Sequence, residues 1–144
     1  CKYQDENYWS HSINSPIYNA WSGFAFEMLC LNHVPQIKAA LKIEGVQTSV
    51  YCWRTPAQAE RGAQIDLLID RADHCVNLCE MKFCRGKYTI TKAEREKIEN
   101  RMQSFIAYSK TKSSIRLTMI TSFGVEKNTN SGIIQNELTL EDLF

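Results

Sequence analysis

Glycine is scarce in this chain, six residues in 144, and none of them builds a loop that cradles phosphate. No G-x-G-x-x-G occurs. Gly86-Lys87 has Met81 where the first glycine of G-x-x-x-x-G-K-[ST] would stand, and Tyr88 follows it, so both kinds of nucleotide-phosphate loop are excluded. Histidine is equally sparse. His11, His33 and His74 form neither H-E-x-x-H nor a pair with a nucleophile, and G-x-S-x-G is missing, which removes zincin and serine-hydrolase chemistry; His33 and His74 read as surface residues. No apolar run approaches the ~20 residues of a membrane span, so no membrane partner is expected. Net charge is almost absent, +1 from 17 Lys+Arg against 16 Asp+Glu, and the whole-chain balance points to no polyelectrolyte partner. What is present, 44% hydrophobic and 23% charged residues, is the composition of one ordinary core.

The charge is unevenly spread. Between Arg85 and Arg116, nine basic residues (85, 87, 92, 95, 97, 101, 110, 112, 116) stand against three acidic ones (94, 96, 99), a local +6. Such a run is either a solvated helix face or a phosphate-binding surface. Six cysteines are many for this length, but a chain with its own core needs no disulfide framework, so they read as reduced thiols of a cytoplasmic protein. The C-x3-C-x4-C spacing of Cys75, Cys79 and Cys84 does not match a zinc knuckle. The chain opens Cys1-Lys2-Tyr3 without an initiator Met, which fits a piece of a longer polypeptide, with residues 1–14 as a linker or the start of a single domain spanning 1–144.

Along the chain, Ser15-Pro16 reads as a helix start, followed by an apolar stripe of Trp21, Phe24, Ala25, Met28 and Leu29 to about Asn32. Pro35 opens a second helix through Leu41, with Gly45 as its C-terminal stop. Val46 to Trp53 reads as a strand and Pro56 to Gly62 as a polar loop. Ile65–Ile69 and Val76–Phe83 are short apolar runs joined by Arg71-Ala72-Asp73-His74, the pattern of a buried hairpin. Thr91 to Glu94 fits a capping box opening a helix to about Lys110. Ile115 to Ile120 reads as another strand, and Ile133 to Leu140 as the last one. The order is α(α)βββαβ(β), a mixed α/β chain with no internal boundary.

Glu80-Met81-Lys82 is the most informative tract, because charges inside a core strand cost several kcal/mol each unless paired or bound to a metal. Strand geometry puts Glu80 and Lys82 on one face, and a hairpin turning near Asp73 brings Asp66 alongside Glu80. Two carboxylates so placed repel unless a hard divalent cation takes their charge, and Mg²⁺, which needs few carboxylates and keeps several waters, suits them. The alternative is a buried ion pair of Lys82 with Glu80 or Asp66. Glu27, at the edge of the first helix's apolar stripe, supplies a third acid.

This pattern resembles the PD-(D/E)xK nuclease superfamily: Glu27 on a helix, Asp66 within Gly62–Arg71, then Glu80-Met81-Lys82, on an αβββαβ order. More narrowly, Trp21–Glu27, Gly62–Arg71, Tyr88–Lys92 and Leu138–Phe144 resemble the nuclease-like C-terminal region of bacterial and archaeal AAA-type ATPases, over roughly Tyr8 to Phe144. The resemblance implies a restriction-endonuclease-like fold with a central mixed sheet flanked by helices. It implies Asp66 and Glu80 as ligands of Mg²⁺ (or Mn²⁺), with Glu27 as accessory acid and metal ligand, and Lys82 as the catalytic lysine. DNA is then the expected substrate, held by Arg85, Lys87, Lys92 and Arg95, and an upstream ATPase domain and a homo-oligomer are the expected protein partners. Ile65 stands where the superfamily's name has proline, and Gln103 and Tyr108, five apart, miss the Q-x-x-x-Y helix motif of some relatives. A module of this fold that binds nucleic acid without cleaving it, and a regulatory or oligomerisation domain, are the alternatives.

Overall fold

The computed structural model describes residues 16–59 and 62–144. Helices α1 (Pro16–Leu31) and α2 (Val34–Ala40) lead into a hairpin-rich run of strands β1 (Thr48–Arg54), β2 (Gln64–Arg71) and β3 (Cys75–Lys82); α3 (Lys92–Ser109), β4 (Ser114–Thr121) and β5 (Asn136–Thr139) follow. The five strands form one mixed sheet in sequence order. β1–β2 and β2–β3 pair antiparallel, β3–β4 and β4–β5 parallel. The expected element order holds throughout, and the expected last strand is shorter than its sequence run, Asn136–Thr139, between two 3-10 turns.

The sheet separates two cores. Leu67, Ile69, Cys79 and Met81 pack with Phe26, Cys30 and Ile37 of the first two helices, whereas Leu68, Val76, Leu78 and Leu117 pack with Ile98 and Phe105 of α3. Strand residues alternate between these layers, as the two-residue period of a strand requires.

Helix ends follow local chemistry. The Thr91 hydroxyl accepts from the Glu94 amide at 3.1 Å, but the Glu94 carboxylate takes the Tyr88 hydroxyl at 3.4 Å instead of reaching back, so half of the expected capping box forms. α2 stops earlier than Gly45: Lys42 takes a positive φ of 60°, and its amide and that of Ile43 bond to Ala39 O and Lys38 O, both at 3.0 Å, a Schellman ending with Ile43 buried behind it. His33 is no free surface residue either, since its Nδ1 lies 2.7 Å from Leu29 O and its ring sits edge-on to Phe144.

The face of α1 is the largest correction. Its buried residues are Ser22, Phe26 and Cys30, while Trp21 is 66% and Phe24 62% exposed. A helix that is apolar nearly all round gives periodicity no single face to choose, and here the small side chains at 22 and 30 take the close approach to the sheet. Ser15, its expected cap, lies outside the described residues.

The thiols are free among the described residues. Cys79 is buried, whereas Cys75 and Cys84 are only half-buried. Burial pushes the Cys30 thiol up to about 12, with Glu27 adding to it. Burial likewise pushes Cys79 far up, so both core thiols are inert.

Candidate active site

The acids gather at the open end of the β2–β3 hairpin, opposite its Arg71–His74 turn. Pairing sets Leu67 against Cys79, so the next residues outward on the two strands are Asp66 and Glu80. On the other edge of β2 the register slips. β1 advances two residues from Tyr51 to Trp53 while β2 retreats three, from Leu68 to Ile65, leaving an extra residue in β2 at Asp66-Leu67. The packing records it: Ile65 and Leu68, an odd number of residues apart, both lie in the α3-side core. A bulge re-aims the side chain it carries, and Asp66 sits at this one.

Glu80 and Lys82 share the strand face opposite Cys79 and Met81, the face toward α3. There Arg101 grips Glu80 with both arms, Nε to Oε1 at 2.8 Å and Nη2 to Oε2 at 3.4 Å. The side chains are 23% and 11% exposed. Gln64 donates Nε2 to Asp66 Oδ1 at 2.8 Å and accepts from Arg54 at 3.3 Å. Glu27 reaches the same place from α1. Glu27, Asp66, Glu80, Lys82, Gln64 and Arg101 together line a cavity of about 120 Å³.

The charges there are not balanced pair by pair. Burial raises the Glu27 carboxyl above its ordinary 4.5, Asp66 and Glu80 raise it further, and only Lys82 opposes them. Among the described residues Lys82 forms no ion pair or side-chain hydrogen bond. The lysine pair weighed as the alternative is therefore not formed, and Glu80 has Arg101 instead. Mutual repulsion of acids in a half-buried cavity is what a bound cation relieves.

The donor set also limits the kind of ion. Among the described residues no three His, Cys, Asp or Glu side chains converge tightly enough to enclose a metal, so Glu27, Asp66 and Glu80 share a cavity without forming a three-ligand cage. All-oxygen donors, one or two carboxylates close by and room for water fit Mg²⁺ and fit zinc poorly. Larger hollows exist. One of about 480 Å³ lies by the β4–β5 connection, lined by Val125, Lys127, Gln135 and Glu137 among others, but Glu137 there already accepts the Val125 amide at 2.8 Å. Concentrated unbalanced charge, not volume, marks the acidic cavity as the site.

The four expected DNA contacts differ in how they are engaged. Lys87 and Lys92 are exposed. The Arg85 guanidinium lies over the Tyr18 ring at 5.8 Å, and Arg95 donates to Glu99 at 3.1 Å and to Thr129 O at 3.0 Å. Gln103 and Tyr108 are both exposed. Arg101 and Gln64 were not expected in the site. Arg101 had a visible signal: it falls three residues after Ile98 and four before Phe105, a cation on the buried stripe of α3.

No protein-family model matches the sequence, and neither does any curated protein. Among solved structures the chain is similar to one titled a protein of unknown function, AF1548, with a TM-score of 0.51 and 14% identity over 80% of this chain. The likeness is one of fold. The match covers 64% of that other chain.

Proposed function

We propose that the domain is a Mg²⁺-dependent DNA endonuclease with a restriction-endonuclease-like core, the C-terminal part of an AAA-type ATPase chain. The observation that carries the reading is that Glu27, Asp66, Glu80 and Lys82 line one cavity, with Lys82 in no ion pair among the described residues. The motif resemblance supports it from the sequence side.

In this reading Asp66 and Glu80 hold the ion, with Glu27 as the accessory acid. A bound Mg²⁺ or Mn²⁺ supplies Lewis-acid polarisation of a phosphate oxygen and a more acidic water. Lys82 keeps its ammonium beside the acids, where it orients the attacking water and offsets charge that grows on the phosphate in the transition state. Gln64 fixes the Asp66 carboxylate from behind. Lys87 and Lys92 contribute long-range attraction to the DNA backbone.

The test is cleavage of duplex, single-stranded and branched DNA with Mg²⁺ and with Mn²⁺, comparing wild type with Glu80→Gln and Lys82→Ala. Metal-dependent nicking lost in both variants supports the reading. No cleavage of any form by wild type removes it.

A second reading, an oligomerisation module, is favoured by one observation. Ile17, Trp21, Phe24, Met28 and Leu31, at alternating four- and three-residue steps, are all exposed on α1. That is the seam spacing of paired helices, and its occupant is a second copy of this chain. Sedimentation of wild type and Trp21→Glu decides it: a dimer that the substitution dissociates supports the module, and a wild-type monomer removes it.

A further inference from the structure

A second hollow adjoins the acidic cavity. It has a volume of about 510 Å³, lies between the Gly62–Gln64 segment and one face of α3, and is lined by Lys97, Asn100, Arg101 and Ser104 on the helix side. Its stem is fixed, since the Thr55 amide donates to Ala63 O at 2.9 Å and the Thr55 hydroxyl accepts the Ala63 amide at 3.0 Å. Lys97, Arg101 and Ser104 recur at helical spacing and so share one face of α3.

The two hollows differ in sign. Glu27, Asp66 and Glu80 line the first, while among the described residues two cations and no acid line the second. Gln64 and Arg101 belong to both. Lys97 is only loosely engaged, 3.8 Å from Glu94 and 66% exposed, so its charge is available. A cation site that shares its wall with an anion slot fits a phosphodiester chain, whose consecutive phosphates carry one charge each.

We infer that Arg101 is a transferable cation, holding Glu80 while the acidic cavity is empty and passing to a DNA phosphate seated in the Lys97–Ser104 groove when a divalent ion takes Glu80. The inference rests on the endonuclease reading above. Both Glu80 oxygens are engaged by Arg101, so an ion that approaches them competes with the guanidinium for the same carboxylate. The displaced guanidinium has a polar groove beside it, lined by no carboxylate among the described residues. Metal loading and DNA binding are thereby coupled: each ligand removes a competitor of the other, and the coupling is reciprocal.

The test is Mn²⁺ binding by electron paramagnetic resonance, together with anisotropy of a labelled DNA duplex and single strand in Ca²⁺, for wild type, Arg101→Gln, Arg101→Lys and Lys97→Gln. Arg101→Gln should bind Mn²⁺ several-fold tighter and DNA several-fold weaker, with the salt slope on duplex reduced by about 0.9, the value of one phosphate contact. Lys97→Gln should weaken DNA binding equally and leave Mn²⁺ affinity unchanged, separating competition for Glu80 from mere loss of positive charge. Arg101→Lys, which keeps the charge without the two-armed grip, should bind Mn²⁺ tighter than wild type and covers the case in which Arg101→Gln fails to fold. Unchanged DNA affinity in Arg101→Gln and Lys97→Gln, or weaker Mn²⁺ binding in the Arg101 variants, overturns the transfer while a cleaving wild type keeps the endonuclease. A wild type that binds neither Mn²⁺ nor DNA overturns both.

Discussion

The β2–β3 hairpin carries polar groups at both ends, and the two ends treat them in opposite ways. Near the turn, Asn77 is 1% exposed, yet each of its polar atoms is met. Its Oδ1 accepts from Arg71 at 3.2 Å and its Nδ2 donates to Thr118 Oγ1 at 2.9 Å. Asn136 on β5 accepts from Arg116 at 3.1 Å and extends the chain across the sheet. Arg71 in turn holds Asp73 at 2.6 Å, and this bond holds the Asp73 carboxyl below its usual range. At the open end, Glu27, Asp66 and Glu80 line one cavity, and among the described residues only Glu80 of the three is ion-paired, to Arg101, while Lys82 forms no ion pair. A polar network closed on itself fixes strand register; a cluster that leaves like charges together is configured for something that binds. The same two strands thus hold a structural belt and a candidate reaction site within a few residues of each other.

The sharpest separation of the two ends comes from Lys82→Ala. Cleavage should fall roughly 10²- to 10³-fold, the loss seen when one transition-state donor is removed, while in saturating Mg²⁺ the melting temperature stays at the wild-type value, because the ion takes over the charge that Lys82 offsets and Lys82 closes no ion pair among the described residues. Parallel cleavage and melting curves check this, and a variant that melts several degrees lower would put Lys82 among the structural groups.

Divalent ions should act on the open end alone. Mn²⁺ at a hundredfold excess over its Kd should stabilise the fold by about 2.7 kcal/mol, and Asp66→Asn should abolish that gain, whereas Asn77→Ala should keep it. The belt variant should itself cost about 1 to 3 kcal/mol, the penalty for leaving buried donors and acceptors unmet, read from denaturant unfolding in EDTA. An Asn77→Ala protein as stable as wild type would show that the belt is dispensable.

The smallest effect is a pH dependence. Glu27's carboxyl is raised above 4.5 by burial first and then by Asp66, with Lys82 opposing and Glu80 adding. A raised carboxyl binds its proton more tightly when folded, so its contribution is fully present below pH 4.5 and is lost as pH rises through the raised value. Without metal, Glu27→Gln should therefore gain stability relative to wild type between about pH 4 and about pH 8. Melting in EDTA at both pH values measures it, and a difference that stays constant or shrinks would mean that Glu27 is not crowded by the other acids.

Most of this was legible in the sequence, for a physical reason. Strand runs bounded by turn residues fix the hairpin, and the hairpin's register then carries Asp66 to Glu80 without any knowledge of the rest. The bulge at Asp66-Leu67 was not legible, because it is a property of how β1 pairs with β2 and leaves no mark on β2's own alternation. The outward turn of Trp21 and Phe24 was hidden by α1's all-round apolar surface. Arg101 could have been found from its place on the α3 stripe, but counting it with the basic run concealed it. Arg95 bonds to Glu99 and Thr129, pairings that charge counting cannot see.

The central claim is that the open end of the hairpin holds a divalent cation through Asp66 and Glu80. Electron paramagnetic resonance of Mn²⁺ titrated with the domain tests it most directly. The account predicts that wild type removes the free-ion signal with saturation and that Asp66→Asn and Glu80→Gln do not. Equal free-ion signals with wild type, with the two variants and with buffer alone would contradict it.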